Sequence, residues 1–356
     1  MTKLFTPLAI GSTTLGHRLV MAPLTRFQHY EQRACVPGTL LITEATLISA
    51  RGAGSSNVPG IWSEAQVAGW RRVTDAVHAK GCKIYCQVWH QGRAGSVEHL
   101  AKYGGRLLSS SAVPLSPDGE TPAEMSEQDI QDVIEDFVTA AKNAIAAGFD
   151  GVEIHGANGY LLDQFLQDTC NKRTDRWGGS IENRSRLHIE VTKAIIGAIG
   201  ADKTGIRLSP YSDFQEMLME DPDPTFRYLT EQLKVLGLAY LHLVEARISG
   251  NVDAGCGGER TVRWMVELWA NVSPVLIAGG FTAESAKTAV DETYKDYDVA
   301  IVFGRYFVSN PDLVFRIQSG VPLDKYDRTT FYIPKSPVGY IDIPFSQQFQ
   351  ASGRAA

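Results

Sequence analysis

Three observations predict an α/β chain closed into a (β/α)8 TIM barrel. Eight short apolar runs alternate with helical segments along the sequence. Alternation of that kind implies a parallel sheet, and eight units suggest closure. The 356 residues suit one barrel with insertions, a single unit over 1–356, although two ordinary domains would also fit that length. Finally, polar residues gather where the fourth run ends, and α/β barrels keep their chemistry at the C-terminal ends of their strands.

Each element has a local justification. Over 1–18, Pro7, Gly11 and Gly16 interrupt apolar residues, which predicts an N-terminal hairpin covering the bottom of the barrel. Strand one is LVMAP, 19–23, and strand two is TLLIT, 39–43. Neither shows alternation, as expected of strands covered on both faces. Ser63 with Gln66 three residues on predicts a capped helix, continued by Val67, Trp70, Val73 and Val77 at helical spacing. KIYCQVW, 83–89, is strand three. A Gly-, Ser- and Pro-rich stretch over 92–122 predicts an excursion across the top of the barrel.

Ser126, with Asp129 at the capping-box position, opens the next helix. Ile130, Val133, Ile134, Phe137, Ala141 and Ala144 form its buried stripe, and Gly148 ends it. Strand four is 150–155. A helix over 182–199 ends at Gly200. Strands five to eight are 204–209, 239–245, 273–280 and 299–305, separated by helices at 224–236, 260–270 and 283–290. The tail, 325–356, should be irregular and packed on the outside. The connection between strands one and two is tight: fifteen residues, 24–38, where a whole crossover needs at least about 10–12. A returning helix of roughly ten residues spans about 15 Å.

Hydrophobic residues make up 44% and charged residues 21%, the balance of an ordinary folded chain. A net charge of −6 argues against a nucleic-acid partner. No apolar run approaches the 18 or so residues of a membrane span, and the N-terminal residues lack the core of a signal peptide. Cys35, Cys82, Cys86, Cys170 and Cys256 are odd in number and scattered, which fits reduced thiols and a cytoplasmic location. Cys82 and Cys86 share a strand face as small core residues. His78, His90 and His242 form no metal-ligand pattern, so no metal is expected.

The chemistry-bearing residues are His155, Asn158 and Tyr160. His and Asn can both donate to one oxygen, and Tyr can deliver a proton. A lone strand-end His is usually satisfied structure and a lone Tyr usually packs; the triplet carries weight because all three leave one turn. Arg207 lies inside the apolar run GIRLS and must be paired or bound to something anionic. Gly279, Gly280, Gly304 and Arg305 follow strands seven and eight, the usual phosphate position of this fold. They indicate a phosphate group and no more.

The run HGANGYLLDQF from His155, followed by NKRTDRWGGSIENR from Asn171, resembles the signature of the Old Yellow Enzyme family of FMN-dependent ene-reductases, and most closely its fungal members. The resemblance spans nearly the whole chain. It breaks after Phe27, where this sequence looks shortened. It implies FMN at the C-terminal ends of the strands. Pro23 and Leu24 would lie against the ring and Thr25 would bond near O4. Ala45 would be the small residue after strand two, Gln87 the amide pairing with N3 and O2, and Arg207 the cation by N1. The phosphate would sit at Gly279, Gly280, Gly304 and Arg305.

The resemblance also implies NADPH, or less readily NADH, as reductant of FMN. An α,β-unsaturated aldehyde or ketone would then take hydride from N5 at its β-carbon. His155 and Asn158 would hold its carbonyl oxygen, Tyr160 would protonate the α-carbon, and Trp89 would form part of the substrate wall. The assembly would be a monomer or homodimer. Two alternatives stand beside this reading. One is an FMN 2-hydroxyacid oxidase, which the HGANGY turn opposes; the other is a barrel that binds flavin without activity because of the shortened crossover.

Overall fold

The computed structural model describes residues 2–23, 30–246, 248–249, 252–253, 260–331, 333 and 336–353. Eight parallel strands form the barrel: β1 Leu19–Met21, β2 Leu40–Ile42, β3 Lys83–Trp89, β4 Gly151–His155, β5 Thr204–Leu208, β6 Tyr240–Val244, β7 Val275–Ala278 and β8 Val299–Phe303. They neighbour one another in the order β2, β1, β8, β7, β6, β5, β4, β3, and β2 also pairs with β3. That last ladder closes the ring. The (β/α)8 expectation is therefore met, with several strands one to four residues shorter than the sequence suggested. Glycine and proline turns, such as Gly279–Gly280, leave the ladder earlier than the apolar run ends.

Closure explains the run composition. Ile84, Cys86 and Val88 of β3 and Val152 and Ile154 of β4 face the helices and join one large core. Alternate residues face inward. Val20, Leu40, Ile42, Leu276, Ala300 and Val302 fill one half of the interior. On the other half, Tyr85 and Tyr240 cross with ring centroids 5.4 Å apart. Their neighbours are glycines for a steric reason. A Cβ at Gly151 would lie 2.3 Å from the Tyr85 ring, and one at Gly205 would lie 2.4 Å from the Tyr240 ring. Burying one large apolar side chain contributes about 1.5–3 kcal/mol, whereas a cap contributes about 1 kcal/mol. Packing therefore makes the helices, and caps decide where they start. Both expected capping boxes are present, Ser63 with Gln66 on helix Glu64–Ala79 and Ser126 with Asp129 on helix Glu127–Ala146.

Leu8–Ile10 and Thr13–Leu15 pair as the antiparallel hairpin. Leu8, Ile10 and Leu15 join the interior cluster, so the hairpin stoppers the N-terminal end. Residues 92–122 are less irregular than expected. They contain a helical turn, Val97–Ala101, and a short strand, Leu108–Ser109, pairing with Ala123–Glu124. The tail also departs from the expectation of an irregular run, with a helix at Gln347–Ala351. Ser346 caps it by accepting from the Phe349 N–H, and the Phe349 ring packs 5.2 Å from that of Phe315. Among the described residues no helix is long and apolar enough to cross a membrane.

In the tight first crossover the described helical residues are Tyr30–Arg33, and residues 24–29 lie outside the described residues. Two buried side chains hold it. The Tyr30 hydroxyl accepts the Glu44 N–H at 2.8 Å. Arg33 donates to the carbonyls of Phe307 (3.1 Å), Val308 (2.7 Å) and Tyr340 (2.7 Å). Arg33→Met would keep the apolar stem and strand those buried carbonyls. An unmet buried acceptor costs about 1–3 kcal/mol, so we expect a loss of roughly 3 kcal/mol, read as a lower urea midpoint. An unchanged midpoint would mean that the tail and crossover are held some other way.

Candidate active site

Strand β4 delivers His155 to the top of the barrel, and the chain then turns sharply over 156–160. Gly156 donates to the Arg207 carbonyl at 3.0 Å. A Cβ there would sit 2.7 Å from Nε2 of the buried His188. Asn158 has φ +57°, a left-handed conformation that Asn tolerates better than most residues. Gly159 has φ +71°, and a Cβ there would meet the Gln215 Cβ at 2.6 Å. Further hydrogen bonds fix the turn. The Asn158 N–H donates to Ser209 Oγ at 2.7 Å, Gln215 Nε2 donates to the Asn158 carbonyl at 3.0 Å, and the Gly159 N–H donates to Asp163 Oδ2 at 2.8 Å.

The loop after β5 is itself strained. Gln215, Glu216 and Leu218 have φ of +61°, +59° and +74°, a conformation that costs non-glycine residues of order 1–3 kcal/mol each. Its neighbours hold it there. Arg93 Nη2 donates to the Gln215 carbonyl at 3.0 Å, and Gln167 Oε1 accepts the Leu218 N–H at 2.7 Å.

Three rings meet at the turn. Tyr160 stands edge-on to Trp89 (4.8 Å) and to His155 (5.0 Å), and Trp89 lies near-parallel to His155 at 6.5 Å. Ala45 packs against the cluster that contains Trp89. Burial first, and then the charge of Arg207, push the His155 imidazole well below its ordinary value. It is neutral at neutral pH. The Ala157 N–H points at its Nδ1 over a long 3.4 Å, which favours the tautomer with its proton on Nε2. The Asn158 side chain has no hydrogen-bond partner among the described residues, and Trp89 Nε1 is buried without one. The site thus offers uncharged donors, which can stabilise negative charge developing on a carbonyl oxygen.

Beneath these rings the interior of β3 to β6 is polar. Gln87 Nε2 donates to Glu153 Oε1 at 2.7 Å. Glu153 Oε2 accepts from His242 Nδ1 at 2.8 Å and from the Tyr240 hydroxyl at 3.1 Å. Arg207 Nε and His242 Nε2 are buried and have no partner among the described residues. An orphaned guanidinium N–H inside the barrel calls for an acceptor that gains negative charge, and the pyrimidine edge of a flavin is one. On the opposite side, Gly279 and Gly280 follow β7, and Gly304 precedes helix Arg305–Ser309. The β7–β8 register sets these turns side by side. The Arg305 guanidinium lies 5.0 Å over the Tyr326 ring. Pro23 follows Ala22, whose N–H donates to the Phe303 carbonyl of β8. Leu24 and Thr25 lie outside the described residues. The donor set fits FMN: Gln87 and Arg207 would hold the ring edge, and the glycine turns with Arg305 the phosphate.

Sequence reasoning passed over Glu153, Ser209, Gln215 and Asp163. For Glu153 a signal existed, a carboxylate inside an apolar strand. The second half of the signature builds scaffold. Asn171 Nδ2 donates to the Phe165 and Trp177 carbonyls, Arg173 Nη1 donates to the carbonyls of Ser110 and Met125, and Trp177 Nε1 donates to Glu127.

Asp163 gives the turn a pH signature. Burial pushes its carboxyl from 3.8 up to about 6, against the Gln167 and Gly159 donors that pull it down. A folded-state value above the unfolded one means that its proton-linked stability is present below about pH 4 and lost as pH rises through 6. Two pH units correspond to on the order of 3 kcal/mol. Asp163→Asn has no such titration. Its thermal midpoint relative to the parent should therefore improve between pH 4.5 and 7.5, and parallel midpoint profiles would refute the assignment.

Comparison with known proteins agrees with this geometry. The profile of the NADH:flavin oxidoreductase / NADH oxidase family matches residues 3–324. A chanoclavine-I aldehyde reductase of Penicillium roqueforti is 53% identical over 370 aligned positions, covering 100% of both chains. A probable inactive reductase of Epichloe festucae var. lolii is 50% identical, covering 98% of this chain and 96% of its own. The crystal structure of an Old Yellow Enzyme from Pichia sp. AKU4542 superposes with a TM-score of 0.87 at 36% identity, covering 97% of this chain and 94% of its own. With the barrel, the polar interior and the turn at 155–160 all in place, the chain belongs to the NADH:flavin oxidoreductase / NADH oxidase family, as an FMN-dependent oxidoreductase of the Old Yellow Enzyme type.

Proposed function

We propose that the protein reduces the C=C bond of an α,β-unsaturated aldehyde or ketone, with NADPH or NADH as the electron source. Bound FMN would supply the two-electron exchange between nicotinamide and alkene. The observation that carries the reading is the turn that carries His155, Asn158 and Tyr160 and packs the His155 and Tyr160 rings against Trp89, with Arg207 beside His155 and Gln87 below. Neutral His155 and the Asn158 amide donate to the substrate carbonyl oxygen, which draws electron density from the β-carbon. Tyr160 gives its proton to the α-carbon. Trp89 and Ala45 shape the wall along the alkene. By its name the Penicillium relative reduces an aldehyde, so an unsaturated aldehyde comes first among substrates.

A second reading is a barrel that binds FMN and turns nothing over. A relative named as probably inactive at 50% identity favours it, as does the short first crossover.

One experiment separates the two. Anaerobic NADPH should bleach the yellow holoprotein, and 2-cyclohexenone should restore the colour. Tyr160→Phe should bleach at a rate within about twofold of the parent, while its recovery with enone slows by roughly 10²–10⁴, the usual contribution of a general acid. Recovery at the parental rate would remove Tyr160 from the mechanism. A yellow parent protein that never bleaches would favour the second reading.

A further inference from the structure

We infer that Glu153 is a positioning residue of the flavin site: its carboxylate fixes the groups that Gln87 and His242 present to FMN and offsets the charge of Arg207. The inference rests on the FMN site proposed above.

Glu153 is fully buried, two residues before His155 on the inward face of β4. A buried carboxylate costs several kcal/mol unless it is paired and hydrogen-bonded. Packing alone would not place one here, since Leu276, Ala300 and Val302 fill the facing half with aliphatic groups. Burial raises the Glu153 carboxyl, but the hydrogen-bonded His242, the Arg207 charge and the Gln87 donor outweigh it and hold it below its ordinary range. Burial holds His242 down as well. The pair is therefore an anion beside a neutral imidazole.

An ionised carboxylate only accepts hydrogen bonds. Gln87 must turn its NH2 toward Glu153 at 2.7 Å, which leaves its Oε1 as an acceptor with no bond among the described residues. That end suits an imide N–H such as flavin N3–H. His242 must carry its proton on Nδ1, 2.8 Å from the carboxylate. Its buried Nε2 is then a lone pair. One carboxylate thus settles two polar groups that could each have faced either way.

Its charge has a second effect. Arg207 lies on β5, next to His155 in the register, and would stabilise the negative charge that a flavin gains at N1–O2 on reduction. Glu153 opposes that stabilisation from below. The wild-type potential should therefore be lower than that of a protein with a neutral residue at 153.

The test is the midpoint potential of bound FMN in the reconstituted holoprotein. Glu153→Gln should shift the potential upward and weaken FMN binding. Glu153→Asp, which keeps the charge, should return the potential toward wild type. Tyr240→Phe strips a donor from the same carboxylate, concentrates its charge and should shift the potential downward. It supplies a second reading of opposite sign should the amide variant fail to fold. Folded variants with altered thermal midpoints but the wild-type potential and spectrum would overturn the inference and leave Glu153 a structural residue. A wild-type chain that takes up no FMN would instead overturn the cofactor site, and this inference with it.

Discussion

A closed barrel has no free edge and excludes water, so every group that faces inward must be matched by another inside it. The chain meets this constraint differently on its two halves. Around β1, β2, β7 and β8 it places aliphatic side chains that need no partner. Around β3 to β6 it places a carboxylate, an amide, an imidazole and a guanidinium above a floor of two crossed tyrosines. The apolar half makes the barrel rigid. In the polar half Arg207 Nε has no partner among the described residues, and an acceptor above it would complete the set. Fold and cofactor chemistry are in this sense one problem, solved by the same strands.

The catalytic turn follows the same logic one level up. Its backbone adopts conformations that a free chain would leave, and the loop after β5 is strained in turn. Each holds the other through Gln215, Ser209, Asp163 and Gln167. The result is a rigid presentation of neutral donors. That division accounts for the two halves of the signature: HGANGY builds the turn at the strand end, and NKRTDRWGG ties the excursion over 92–122 to the scaffold behind it.

Much of this was legible in the sequence because local signals and burial agreed. Ser63 and Ser126 start helices where their capping partners predict. Arg207 announced itself as a cation in an apolar strand. Glu153, flanked by Val152 and Ile154, obeys the same rule and would be singled out by it. Other features carried no local signal. The helix Gln347–Ala351 is too short for periodicity, and its existence depends on Phe349 finding Phe315. The support from Ser209 and Gln215 arises only when β5 lies beside β4. Strand ends were blurred because both faces are apolar and the runs continue past the ladder.

The latch on the first crossover bears on the order of folding. Arg33 emerges early during synthesis, yet its carbonyl acceptors lie 274, 275 and 307 residues downstream. Until those residues leave the ribosome, a guanidinium meant for a buried site has only water for company, and the first βα unit cannot be completed. The β1–β8 ladder has the same dependence, since Val20 pairs with Val302. The front of this barrel is thus the last part to set, and a ribosome stalled in the final strand would hold a chain with its beginning open. Contacts of such long range slow folding in general. Here they also make the C-terminal tail a fastener for the N-terminal unit, so damage to one end would surface at the other.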